Sequence, residues 1–385
     1  MKHLFKTAVL SLCILGFLSC NGSNKTKTEN DLATINLITT HKSKQSIKVA
    51  LLLDTSNSMD GLIDQAKAQL WEIVNELSYA KCDEGRSGLQ IALYEYGNDH
   101  LNSEEGYIRQ VLAFSDDLDE ISKQLFSLTT DGGNEYCGYV IQTSLKQLNW
   151  GANPDDLKLI FIAGNEPFTQ GSVSYKMAAQ LAHEKGITVN TIFCGDYNQG
   201  VISSWKDGAD LTHGDYMAIN HNYATTYVAS PYDDQILLLN NKLNGTYVAF
   251  GYMANEKIAL QSEQDSNAVG YGKASAVSRT ISKSSHLYKN SGWDLVDAEA
   301  DKYFKYEDLK DSDLPKELKG KTKEEIRAYV AKKRVEREAI QKEIQELNLK
   351  RKDYISKQQK ETNNGLENAM IKAIKTQAQQ KNYKW

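Results

Sequence analysis

At 385 residues, with 41% hydrophobic and 25% charged side chains and a formal net charge of −5, the chain has the composition of a folded globular protein. That balance excludes a disordered polymer and a multi-span membrane protein, and the length leaves room for one large domain with an appendage or for two domains. Five cysteines are too few for a disulfide framework.

The chain opens on a leader. Lys2, His3 and Lys6 precede an apolar stretch over 8–18, followed by Ser19 and Cys20. A basic start, a short apolar core and a small residue at the cut are the parts of a secretory signal, and the stretch is too short to span a bilayer comfortably. Phe17-Leu18-Ser19-Cys20 resembles a bacterial lipoprotein signal. That resemblance implies removal of 1–19, lipidation of Cys20 and attachment to a membrane of the cell envelope, at its periplasmic or outer-membrane face. A plain cleaved signal with an incidental cysteine is the alternative. Residues 20–45, rich in Lys, Thr, Asn and Ser, read as a polar tether. An exported chain argues against a nucleic-acid partner.

Residues 47–53 form an aliphatic run of the length of a strand buried on both faces, and Asp54 ends it. Leu62, Ile63, Ala66, Leu70, Ile73, Val74 and Leu77 then recur at helical spacing over about 60–80. Asp54, Ser56 and Ser58 therefore sit on the turn between a buried strand and a helix N-terminus, where open α/β sheets bind their ligands. One carboxylate and two hydroxyls at alternate positions suit a hard divalent cation such as Mg²⁺, or Mn²⁺ or Ca²⁺. The plainer alternative is a strand end with a serine N-cap, where Asp54 only favours the helix dipole.

Strand and helix patterns alternate from there on. Strands are expected over 89–96, 107–114, 158–163 and 188–194, with a short last one over 216–220. Helices are expected over about 117–127, through Ile141, Leu145 and Leu148, and over 174–185 and 201–211. The alternation predicts an α/β fold with a doubly wound, mostly parallel sheet and a C-terminal helical extension. Trp205 reads as core, and His213 and His221 lack metal-like spacing.

Asp54-Thr55-Ser56-Asn57-Ser58 after an aliphatic strand resembles the metal-ion-dependent adhesion site of von Willebrand factor type A domains, and the resemblance spans residues 46–228. It implies a Rossmann-like fold with three loops around a cation. The second loop of that family supplies a threonine after a glycine pair, and the third an aspartate. Here Asn134 follows Gly132-Gly133, with Glu135 beside it, and Gly164 stands in the aspartate's place, with Asn165 and Glu166 beside it. Asn and Glu are also oxygen donors, so the candidate ligands are Asp54, Ser56, Ser58, Asn134, Glu135, Asn165 and Glu166. A site with one carboxylate keeps charge to offer a partner's acidic group, whereas three carboxylates around the ion make that partner less favourable. Without a metal, the same glycines are tight turns needing positive φ, and Glu166-Pro167 is a turn after a strand. Of the cysteines left in a processed chain, Cys137 and Cys194 both fall toward the metal end, and a disulfide between them stands beside buried free thiols as the alternative.

Beyond Pro231 the resemblance stops. Residues 233–243 form an amphipathic helix candidate, 246–291 show weak periodicity suggesting loops and short helices, and Trp293 to Val296 form an apolar docking anchor within an extension over 229–320. From Lys321 to the end there are 17 Lys or Arg against 9 Asp or Glu, so a basic tail follows an acidic body. Thr322 and Glu325 fit a capping box that starts a long basic helix over 321–361. Its seam of Ile326, Val330, Ile340, Ile344, Leu347 and Tyr354 also carries Lys333, Arg337 and Arg351, which a clean coiled coil would not tolerate. Such a helix packs intermittently on the body or meets an acidic partner. The polar tail 362–385 carries a weak helix over 366–378.

No nucleophile elbow, zinc-protease, Walker or dinucleotide motif is present. Two S-x-x-K tetrads, at Ser78 and Ser203, lack companion motifs. The sequence therefore reads as a lipid-anchored envelope protein, not an enzyme, that holds a divalent cation and binds a protein or surface polymer through that face. The alternatives are an envelope assembly factor working through its basic helix, and a metal-dependent hydrolase. Nothing in the sequence fixes the oligomeric state.

Overall fold

The computed structural model describes residues 45–82, 85–220, 227–358 and 366–385. The leader, Cys20, nearly all of the tether and His221 lie outside the described residues. The elements run β1 (Ser46–Asp54), α1 (Asp60–Leu77), a ribbon of β2 (Lys81–Cys82) and β3 (Gly85–Arg86), β4 (Gly88–Tyr96), β5 (Ile108–Ser115), α2 (Leu118–Phe126) and α3 (Cys137–Gln147). There follow β6 (Leu157–Gly164), α4 (Tyr175–Glu184), β7 (Thr188–Cys194), α5 (Tyr197–Ile202), α6 (Trp205–Asp210) and β8 (Tyr216–Ile219). The extension adds α7 (Asp233–Asn244), α8 (Ala254–Gly270), α9 (Lys273–Lys283), α10 (Leu295–Ala298), α11 (Lys323–Gln358) and α12 (Leu366–Gln379).

Six strands make one sheet in the order β5-β4-β1-β6-β7-β8. All neighbours are parallel except β5, which pairs antiparallel with β4 at the edge. β1 is central because its side chains suit burial on both faces. Ile47, Val49, Leu51 and Leu53 point into a core shared with α1, α2 and α12, while Ala50 and Leu52 point into a second core under α3, α4 and α6. The carboxyl ends of β1, β4, β6 and β7 therefore open onto one end of the sheet, where the loops after Asp54, Tyr96, Gly164 and Cys194 meet.

Several expectations are corrected. The helix expected over 201–211 is two, because Ser204 takes a left-handed φ of 72° between α5 and α6. The weakly periodic 246–291 contains the 17-residue α8 and the 11-residue α9. Its pattern is hidden because α9 is buried on nearly every side by polar residues, Ser275, Ser278, Arg279, Thr280, Ser282 and Lys283 among them. The helix expected over 366–378 is present as α12, but the segment is no polar tail, since its Leu366, Met370, Ala373, Ile374 and Ala378 belong to the same core as α1.

The 36-residue α11 begins at the predicted capping box: Thr322 N–H donates to Glu325 Oε2 at 2.8 Å and Glu325 N–H to the Thr322 hydroxyl at 3.3 Å. Ile326 and Val330 pack with Val248, Leu295, Val296 and Leu318, and Ile344 and Leu347 with Ile236, Leu239, Val277 and Ile281. Two of the three seam cations are buried in ion pairs, while the half-buried Lys333 pairs with Glu336 at 3.1 Å on its own helix. Arg337 meets Asp294 and Asp297, and Arg351 meets Asp233. No helix among the described residues is long and apolar enough to cross a membrane.

Candidate metal centre

Asp54 ends β1 fully buried. Its Oδ1 accepts the Ser56 N–H at 2.8 Å, which curls the first loop back over the strand end. The Ser56 and Ser58 hydroxyls lie 3.2 Å apart, and the Asn165 side-chain amide donates to Ser58 Oγ at 3.0 Å, so the first and third loops are tied together. The second loop is held against the first by Asp131 N–H, which donates to the Thr55 carbonyl at 3.0 Å.

From that second loop Glu135 turns inward and is 5% exposed, while Asn134, in the family's threonine position, is exposed. The Glu135 N–H donates to Gln170 Oε1 at 2.6 Å, which fixes the backbone that aims the carboxylate. Gly97, at the end of β4, makes room for it. A Cβ there would stand 2.6 Å from Glu135 Cγ and 2.8 Å from Asp54 Oδ1, so the two acids flank one glycine whose φ is +80°. Gly133 needs close approach rather than positive φ, since its Cβ would meet the Gly97 carbonyl oxygen at 2.5 Å.

Gly164 shows why the third loop carries no acid at that point. A Cβ would stand 2.7 Å from the Tyr96 hydroxyl and 3.0 Å from Asp54 Oδ2. Tyr96 is fully buried and donates to the Ala163 carbonyl at 2.9 Å, so its hydroxyl, with Asp54, fills the space that a side chain at 164 would enter. Glu166 is exposed on the rim, and its carbonyl accepts from Trp205 Nε1 at 2.8 Å. Trp205 itself is core.

Burial pushes the Asp54 carboxyl up from its ordinary value, Ser56 offsets part of this, and Glu166 adds to it. Glu135 moves up for the same reason, reinforced by the charges of Asp54 and Glu166. Asp54 Oδ2, Glu135 Oε2 and Asn165 Oδ1 are buried oxygens without a hydrogen-bond partner among the described residues. Two raised carboxylates, an orphaned amide oxygen and two hydroxyls make a donor set of hard oxygens, which fits a hard divalent cation. No group of three or more His, Cys, Asp or Glu side chains among the described residues is placed to hold a metal, so a site here depends on hydroxyl and amide oxygens as well.

The mostly parallel sheet flanked by helices agrees with comparison to a known family. Residues 48–205 match a von Willebrand factor type A domain. Solved structures similar to the chain include proximal thread matrix protein 1 from the mussel byssus, at 12% identity and a TM-score of 0.35, covering 46% of this chain and 42% of that one. BatB from Bacteroides thetaiotaomicron is similar at 16% identity and a TM-score of 0.35, covering 45% of this chain and 90% of that one. An aerotolerance-related membrane protein from Bacteroides fragilis is similar at 16% identity and a TM-score of 0.31, covering 46% and 94%. The chain spans less than half the length of the thread matrix protein. No curated protein matches the sequence.

The expected Cys137–Cys194 disulfide is absent: Cys82, Cys137 and Cys194 are all free and buried. Both of the expected partners do lie toward the candidate metal end, but Cys137 faces the core under α3 and Cys194 the core under α1 and α12. The sheet stands between them. Sequence reasoning also missed Tyr96, Gly97 and Gln170. The pair Tyr96-Gly97 at a strand end was the available signal, since a glycine there marks a close approach.

Proposed function

We propose that this is an envelope-anchored type A domain protein that holds a divalent cation between its first, second and third loops and binds a protein or surface polymer through that face. The three orphaned buried oxygens of Asp54, Glu135 and Asn165 carry the reading, because natural structures rarely leave buried acceptors unpaired without an ion or water to meet them. Asp54, Ser56, Ser58, Glu135 and Asn165 would hold the ion, with Glu166 at the rim. Bound there, the cation supplies a Lewis-acidic point at which a partner's oxygen ligand can join. The protein's own groups do the rest: Ser56 and Gln170 fix the two carboxylates, and Tyr96 keeps the floor of the site closed. Attachment through a lipidated Cys20 rests on the sequence pattern of the leader.

Calorimetric titration of Mg²⁺ and Mn²⁺ into the soluble protein tests the reading. Saturable binding is expected in the parent and lost in Asp54→Ala and Glu135→Gln. Equal uptake in parent and variants, or none in any, would overturn it.

A further inference from the structure

The five loops at the metal end, 55–60, 97–107, 129–136, 165–175 and 195–204, contain no Lys or Arg. They carry Asp60, Asp99, Glu104, Glu105, Glu166 and Asp196 as exposed acids, besides the half-buried Asp131. Asp131 is paired at 2.6 Å with His100, the only basic side chain on these loops. Beneath them lie Asp54 and Glu135, each buried with an oxygen that nothing among the described residues meets. The surplus of Lys and Arg is elsewhere, on α11 and α12.

We infer that the partner captured at this face presents cations, a protein segment bearing Lys or Arg, and not a carboxylate. The inference rests on the proposed reading of this end as the binding face. A divalent ion held by the two carboxylates of Asp54 and Glu135 has its charge balanced by formal count, so the exposed acids of the rim keep the face negative with metal bound. A partner's carboxylate would meet like charge from Asp99, Glu104, Glu105 and Glu166, whereas a Lys or Arg segment meets opposite charge at each of these four. Beside the rim, α5 exposes Tyr197, Val201 and Ile202, the last 84% exposed. Apolar surface next to acids suits Lys and Arg, whose long stems pack on it while the heads reach the carboxylates.

Fluorescence anisotropy of labelled decalysine and decaglutamate against the full chain in Mg²⁺ tests this. Decalysine is expected to bind at least about tenfold tighter, more weakly as salt rises. The variant combining D99N, E104Q, E105Q and E166Q should lose about tenfold of that affinity. A variant removing four exposed acids of the extension, E263Q, D308N, E317Q and E324Q, should change it by less than about twofold. Equal or tighter decaglutamate binding, no binding of either peptide, or equal losses in both variants would overturn the inference. Calorimetric Mg²⁺ uptake in the same sample separates the two readings. Uptake without a lysine preference overturns the cationic partner alone, and a lysine preference without uptake supports that partner while overturning the metal.

Discussion

Arg337 Nη1 donates to Asp294 Oδ2 at 2.7 Å, and neither side chain is more than 4% exposed. Nη2 reaches Asp294 Oδ1 at 3.2 Å and the Thr246 carbonyl at 2.9 Å, Nε donates to the Thr246 hydroxyl at 3.0 Å, and the guanidinium lies 4.2 Å from the Tyr247 ring centre. A cation that looks misplaced on the seam of α11 is thus the bolt between that helix and α10. Arg337→Ala would leave the buried Asp294 without its counter-ion, held only by the N–H groups of Val248 and Asp297, at a cost of about 3–5 kcal/mol. Urea unfolding near neutral pH should show a lowered midpoint with an unchanged slope. A loss under about 1 kcal/mol would mean that water replaces the guanidinium freely.

Gly164→Ala tests the packing under the site. The added methyl would stand 2.7 Å from the Tyr96 hydroxyl, far inside ordinary contact distance, and Tyr96 is locked by its bond to Ala163. A cost of about 1–3 kcal/mol is expected, as for other overpacked cores. Tyr96→Phe frees the space, so the double variant should be more stable than the sum of the single losses allows. Strict additivity in that cycle would show that the methyl strains something other than Tyr96.

Most of the sheet could be read from the sequence because β1 and β6 are aliphatic runs and β4 and β7 are short segments rich in aliphatic, β-branched and aromatic residues. The first loop was legible because Asp54, Ser56 and Ser58 fall at alternate positions of one short stretch. Glu135 could be named as a neighbour of the second loop, but its inward turn depends on Gln170, 35 residues away. The cysteine pairing failed because a run of residues buried on both faces does not tell which face a given side chain takes. The extension was harder still, because α9 and α11 bury arginines and lysines whose partners, Asp265 and Asp294 among them, lie on other elements.

Asp265 on α8 accepts from Lys283 Nζ at 2.9 Å, Arg279 Nε at 2.5 Å and the side-chain amides of Asn240 at 3.1 Å and Asn244 at 2.8 Å. Burial opposes its ionisation, but the charges of Arg279 and Lys283 outweigh that and hold the carboxyl far below the usual carboxylate range. An acid depressed on folding stabilises the native state above its unfolded value near 3.9, and that stability is lost as pH falls through the folded value. Thermal unfolding between about pH 6 and pH 2 should therefore show a steep decline in the parent and a shallower one in Asp265→Asn, which starts less stable. Parallel curves would place the acid sensitivity in other carboxylates.

The last twenty residues close the fold onto its first strand. Tyr383 Oη donates to the Ser46 carbonyl at 3.1 Å, Lys384 and Lys81 exchange backbone bonds of 2.9 and 2.8 Å, and Trp385 Nε1 donates to the Glu76 carbonyl at 3.1 Å. Leu366, Met370 and Ile374 are each 3% exposed or less, and a side chain of that size contributes about 1.5–3 kcal/mol on burial. Three of them supply an amount comparable with the whole net stability of a domain, about 5–15 kcal/mol. Removing 366–385 should therefore abolish cooperative unfolding rather than free a binding arm, and Ile374→Ala alone should cost about 2–5 kcal/mol. It follows that deleting the basic tail cannot separate a partner-binding role of α11 from a folding role. Point charge reversals on the exposed Lys332 and Lys342 can, since they leave α12 seated. A truncated chain that stayed soluble with the parent's melting transition would show that α12 covers the sheet without supporting it.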